Sequence, residues 1–258
     1  MAYYSILWYH FKMFENYKLE ILFQDDSIVV INKPSGLLVH KSMLDPHEIY
    51  FAVDMLENQI GQKVYSVHRI DRATSGVLLF AKNSECARIL SEQFANNTTQ
   101  KTYLCVVRGY MPSSGIIDYP LSRKLDKIAD KDSSKDKDAQ EAITHFRTVA
   151  TSQIPYAVGK YPQSRYSLVE ASPRTGRKHQ IRRHLKHLSH HLIGDTKYGR
   201  GEHNKLFREV FNSHRMLLHA FSLELLHPNT KEQIIFKAPI DDTFTSVFNT
   251  LGWEDFIS

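Results

Sequence analysis

Cysteine is nearly absent: the 258 residues hold two, Cys86 and Cys105. They lie far apart and without metal-like spacing, which argues against a disulfide scaffold and fits a reducing cytoplasm. No apolar run is long enough to span a bilayer, so no membrane partner is expected. The apolar, aromatic start from Met1 to Phe14 has no Lys or Arg ahead of its apolar part and no small-residue cleavage site after it. It does not read as a signal peptide. It reads as an N-terminal extension over residues 1–18, disordered, with Met13 as an alternative start. No internal repeat of fixed period is present. His184, His187 and His191 have helical spacing, but no carboxylate or thiol is interleaved before Asp195. The surrounding Lys and Arg would repel a cation, so no metal is expected.

What is present is apolar bulk and unevenly placed charge. At 42% hydrophobic the chain can bury a sizeable core. The formal charge is +5, and the distribution says more than the total. Residues 174–219 carry 11 Lys/Arg and 3 Asp/Glu, a net of +8, which leaves −3 for the rest. Positive charge gathered in one region suits contacts to a phosphate backbone.

Residues 19–23 and 27–32 read as strands joined through Gln24-Asp25-Asp26, and Lys33-Pro34-Ser35-Gly36 reads as a turn. Helices are expected over 48–60, over 84–94 with Ser84 as the cap, over 177–188 and over 243–251. Strands are expected over 64–67, 77–81, 102–108, 143–149, 166–171, 216–226 and 233–237. The Lys/Asp-rich run 125–141 has almost no apolar residues and reads as a solvated loop. Clustered strands with interspersed, non-alternating helices predict an α+β fold, as a single domain over 19–258.

The most informative string is His68-Arg69-Ile70-Asp71-Arg72-Ala73-Thr74-Ser75-Gly76. It sets one acid between two arginines in a turn-like segment. Nearby positive charge favours the ionised carboxylate, and a held, ionised carboxylate suits nucleophilic work on a sugar or phosphate substrate. A structural Asp in a surface ion pair is the plain alternative. The string matches every specified position of His-Arg-x-Asp-Arg-x-Thr-Ser-Gly and so resembles the signature of the RluA-type family of RNA pseudouridine synthases. Three other stretches resemble the same family: Val30 to His40, Gln100-Lys101-Thr102-Tyr103 running to Gly109, and Thr175 to Leu185 followed by Ile193-Gly194-Asp195.

The resemblance implies a mixed, largely antiparallel β-sheet core with flanking helices and a central RNA-binding cleft. It implies a reaction that breaks the glycosidic bond of a uridine and rejoins the base through carbon, with no cofactor. Asp71 would be the catalytic carboxylate and Arg182 its basic partner, through a charge-assisted bond. Tyr103 would give the base a flat surface and a proton-transfer hydroxyl. Arg69 would help displace the target nucleotide from its stack. Arg72, Lys33, His40, Arg177, Lys178 and Arg183 are expected to meet RNA, with loop-shaping or simple solvation as the alternatives for Arg72, Lys33, His40 and Lys178. Within the family, Leu37 to Ser42 and residues 125–131 look closest to members acting on uridine 65 in the T stem of tRNA. The expected partner is therefore tRNA, and the expected state a cytoplasmic monomer. A ribosomal RNA synthase of the same family, a non-catalytic RNA-binding protein and an Asp-dependent hydrolase are the alternatives.

Overall fold

The computed structural model describes residues 14–41, 48–122 and 138–256. Residues 1–13 of the expected extension, and most of the run expected as a loop, lie outside the described residues. The described residues form ten strands and five α-helices. They group into two compact units, one from 14–99 and 224–238, the other from 100–122, 138–223 and 239–256. This is the mixed α+β, mostly antiparallel architecture expected. Both cysteines are free and buried. Among the described residues no helix is long and apolar enough to cross a membrane.

In the first unit, β1 (Glu20–Gln24) and β2 (Ile28–Lys33) form an antiparallel pair. Their turn is set by the Asp25 carboxylate, which accepts the amides of Ser27 and Ile28 at 2.7 and 2.8 Å. β3 (Tyr65–Ser66) and β2 both pair with β4 (Ser75–Ala81). Every residue of β4 is buried, which is why its sequence reads as an unbroken apolar run rather than an alternation. The register from Ile28↔Ala81 to Lys33↔Gly76 sets the end of β2 beside the start of β4. The segment bearing Asp71 enters there.

Helix α1 spans Ala52–Ile60, later than the expected start at 48. Helix α2 spans Ser84–Ala95, and its cap is Asn83 rather than Ser84. Asn83 is extended (φ −146°, ψ 166°), and its side chain accepts the Cys86 amide at 2.9 Å. Ser84 is already helical, so it cannot serve that role.

The second unit is built on an antiparallel strand order β5-β8-β7-β6, with β5 at Gln100–Arg108, β6 at Ser114–Asp118, β7 at Ile143–Ile154 and β8 at Ser164–Pro173. β7 runs beyond its expected end because a bulge between Thr148 and Ala150 restarts the pairing with β8. Three helices belong to this unit: α3 (Gln180–His187), α4 (Gly201–Val210) and α5 (Asp242–Leu251). The aromatic faces of α4 and α5 close a core containing Tyr166, Phe207, Phe211, Phe244, Phe248 and Trp253. The chain returns to the first unit along β9 (Leu218–Leu226), which pairs with β10 (Gln233–Lys237).

Candidate active site

Asp71 lies in the first unit, half-buried on a turn closed by the Thr74 amide donating to the Asp71 carbonyl at 3.0 Å. The loop around it is fixed from several sides. Ile70, Thr74 and Ser75 are buried. The His68 ring stacks on Phe94 at 4.5 Å, and its Nε2 accepts the Leu79 amide. The Gly36 amide donates to the Arg72 carbonyl at 2.8 Å, and Ser35 Oγ donates to the Ala73 carbonyl at 2.9 Å.

Lys33, expected from the sequence as a phosphate contact, is corrected by the geometry. It is fully buried, and its ammonium donates to the carbonyls of Pro34, Leu37 and Arg72. It binds the 33–37 turn to the Asp71 loop, and a buried amine spent on three carbonyls has no hydrogen left for RNA. Arg72 does similar work, with Nε donating to the Gly36 carbonyl at 3.0 Å and Nη2 bonded to Glu48. Arg69 and His40 differ, because both are exposed. Burial, and then the charge of Arg69, lowers the His40 pKa from its ordinary value.

Tyr103 and Arg182 belong to the second unit. Tyr103 is half-buried in β5, paired with Ala171 of β8. Arg182 sits on α3 and is 8% exposed, in keeping with its place on the border between the apolar and basic faces of that helix. Ile181 and Leu185 bury the apolar face, while Lys186 is exposed.

The described partner of Arg182 is one the sequence reading missed. Its Nε and Nη2 meet the two oxygens of Asp195 at 2.7 and 2.9 Å, a two-pronged, charge-assisted pair. Asp195 also accepts the amides of Lys197 and Tyr198. Burial alone would raise its carboxyl, but the bonds and charge of Arg182 outweigh that and hold it below the usual range. The Tyr198 ring lies 5.2 Å from the Arg182 guanidinium. Asp195 is one of three acids in residues 174–219 and lies in the loop Gly194-Asp195-Thr196-Lys197-Tyr198-Gly199, where no periodicity marks it as a partner. A methyl on Gly194 (φ 77°) would overlap the Arg215 carbonyl, and one on Gly199 would overlap that of Asp195. The loop can close only with glycine at both places.

Of the other expected RNA contacts, Arg177 donates to the Glu141 carbonyl and Arg183 to the Ser122 carbonyl, each at 3.0 Å. Both tether adjoining loops, while Lys178 is exposed. Two histidines of this region are structural in the same way. His184 bonds Thr144 and the Tyr119 carbonyl, and His191 the Tyr198 carbonyl. Among the described residues no cluster of three metal-ligating side chains occurs.

A family profile described as RNA pseudouridylate synthase matches residues 27–187, which include Asp71, Tyr103 and Arg182. The chain is 50% identical over 238 residues to a tRNA pseudouridine synthase C of Vibrio parahaemolyticus, covering 92% of this chain and 97% of the relative. It is 50% identical over 237 residues to one of Haemophilus influenzae, covering 92% and 99%. Among solved structures, human RNA Pseudouridylate Synthase Domain Containing 4 superposes with a TM-score of 0.68 at 25% identity, over 90% of this chain and 93% of that one. The signature around Asp71, the fold and the extent of these matches agree, and the chain belongs to the RNA pseudouridylate synthase family.

Proposed function

We propose that this protein isomerises a uridine of tRNA to pseudouridine, with uridine 65 in the T stem as its target. The observation that carries the reading is the Asp71 loop: a half-buried aspartate on a segment locked by buried Lys33 and half-buried Arg72, with exposed Arg69 and His40 in the same unit. Such a held carboxylate suits chemistry on the ribose or pyrimidine of an extruded nucleotide. In this reading Asp71 supplies that group, Tyr103 the ring and hydroxyl offered to the base, and Arg182 the cation of the set. Arg69 assists extrusion, while His40 and Lys178 meet the RNA. The tRNA target draws support from the relatives named tRNA pseudouridine synthase C.

The test is tritium release from a tRNA transcript labelled at uridine C5, since rejoining the base through C5 expels that hydrogen. Wild type should release it with RNA mass unchanged, and Asp71→Asn should be slower by about a thousandfold or more with transcript binding retained. Mapping the product should place pseudouridine at position 65. Release from ribosomal RNA alone would overturn the target, and release from neither RNA would overturn the activity.

A further inference from the structure

The second unit contains a cavity of about 710 Å³ lined by Arg108, Lys160, Arg165, Arg200 and Tyr161, with Glu202 as the one acid on its walls. None of the residues expected from the sequence to act on RNA or bind it lines this cavity.

Its walls are held together by the backbone. The end of β5 is tied to β8 by the Gly109 amide donating to the Arg165 carbonyl at 2.7 Å, and to the 188–191 turn by the Arg108 amide donating to the His191 carbonyl at 2.9 Å. The β7–β8 hairpin closes with Val158 and Tyr161 bridged across Gly159-Lys160, where Gly159 takes φ 63°. A left-handed residue suits a two-residue hairpin turn, and glycine adopts it without a steric cost. Lys160 is thereby carried on the hairpin tip, its ammonium 5.4 Å from the Tyr161 ring centre.

The charge on these walls is positive in excess, with four cations to one acid. Among the described residues no ion pair neutralises Arg108, Lys160, Arg165 or Arg200. Arg108 is fixed by its Nε donating to His203 Nε2 at 3.1 Å, while His203 Nδ1 is 2.8 Å from the Tyr166 hydroxyl. Arg200 stands at the N-cap of α4 and its side chain makes no capping bond. The first amides of that helix therefore add positive potential to the same wall. Four cations facing the single acid Glu202 leave a net positive wall, and an anion relieves the remaining repulsion.

The aromatic content points to the kind of anion. Tyr161 is 56% exposed, and Tyr110, under the Arg165 guanidinium at 5.1 Å, is 45% exposed. A free inorganic anion has no use for an open aromatic ring. A nucleic-acid strand does, because its phosphates meet the cations while its bases stack on the rings.

We infer that this cavity is an additional RNA-binding site, taking a backbone phosphodiester on Arg108, Lys160 and Arg200 with an unpaired base stacked on Tyr161. The inference rests on the reading of the chain as an enzyme acting on RNA, and it adds an anchor outside the catalytic set.

The experiment compares wild type with Lys160→Gln/Arg200→Gln and with Tyr161→Ala and Tyr161→Phe, all exposed positions whose substitution leaves the core intact. Fluorescence anisotropy with a labelled tRNA transcript should show Kd rising about tenfold for the double variant. Its plot of log Kd against log salt should flatten by roughly 0.7 per lost contact. Tyr161→Ala should weaken binding by about tenfold while Tyr161→Phe stays near wild type, the pattern of stacking rather than hydroxyl bonding. Tritium release at saturating transcript should stay within about twofold in every variant. Kd and salt slope unchanged in the double variant would overturn the site. So would uridine 5′-monophosphate or inorganic phosphate displacing the transcript at low millimolar concentration, which would mark a small-anion pocket. If wild type releases no tritium from any RNA while the variants still lose transcript binding, the proposed activity fails and the site stands.

Discussion

At the scale of single residues, the most consequential contact is the pair between Arg182 and Asp195. Both are nearly removed from water, with side chains 9% and 0% exposed. A buried ion pair is weak evidence for stability in itself, because desolvation offsets much of the attraction. Removing one partner is different, since the other is then buried without its two-pronged counter-ion. Asp195→Asn should therefore lower unfolding stability by about 3 kcal/mol or more, read by urea denaturation. A loss under about 1 kcal/mol would show that the Arg182 guanidinium is held by other groups. The same contrast explains what was legible at this scale. The signature around Asp71 named its residues directly. Lys33 misled, because nothing in a lysine at a strand end tells whether its amine turns outward to solvent or inward to three carbonyls. Asp195 was overlooked as a partner because pairing across a loop leaves no periodic trace.

At the scale of elements, strands buried on both faces were the easiest to read. β2 and β4 announce themselves as continuous apolar runs, while β10, mostly exposed, still begins and ends at the residues expected. β6 and α4 were missed for identifiable reasons. β6 is a five-residue strand containing a glycine, paired with β7 at the end of the strand order. α4 opens on a glycine and buries His203 and Asn204 beside Phe207, so its inner face is partly polar and the hydrophobic period is faint. Cap assignment erred by one residue at α2, which makes a sharp test. Asn83→Ala removes the bond to the Cys86 amide and should cost about 1 kcal/mol, whereas Ser84→Ala should change thermal stability by less than about 0.5 kcal/mol. Equal effects in a thermal melt would mean that neither side chain caps the helix.

At the scale of the whole molecule, the balance of buried histidines sets how the protein answers to acid. Burial, then the charge of Arg108, pushes His203 down to about 4. Burial first, with opposing hydrogen bonds, also lowers His184 and His191. The folded state keeps these rings neutral, while an unfolded chain protonates them near their ordinary value of about 6.5. The unfolded state therefore binds more protons as pH falls, and stability drains away. For His203 the loss begins near the unfolded value and is complete once pH reaches about 4. Over that window it amounts to at most about 3 kcal/mol. The lowered carboxyl of Asp195 acts in a separate range, since its contribution persists above the unfolded carboxylate pKa and is lost only as pH falls through its folded value. Melting temperature should accordingly drop between pH 6.5 and 5, before carboxylates titrate. His203→Gln, which keeps a donor and an acceptor but cannot take up the proton, should make that slope shallower. A melting temperature flat from pH 7 to 5 in wild type would show that the unfolded chain gains no protons there, and that the rings are not held neutral against it.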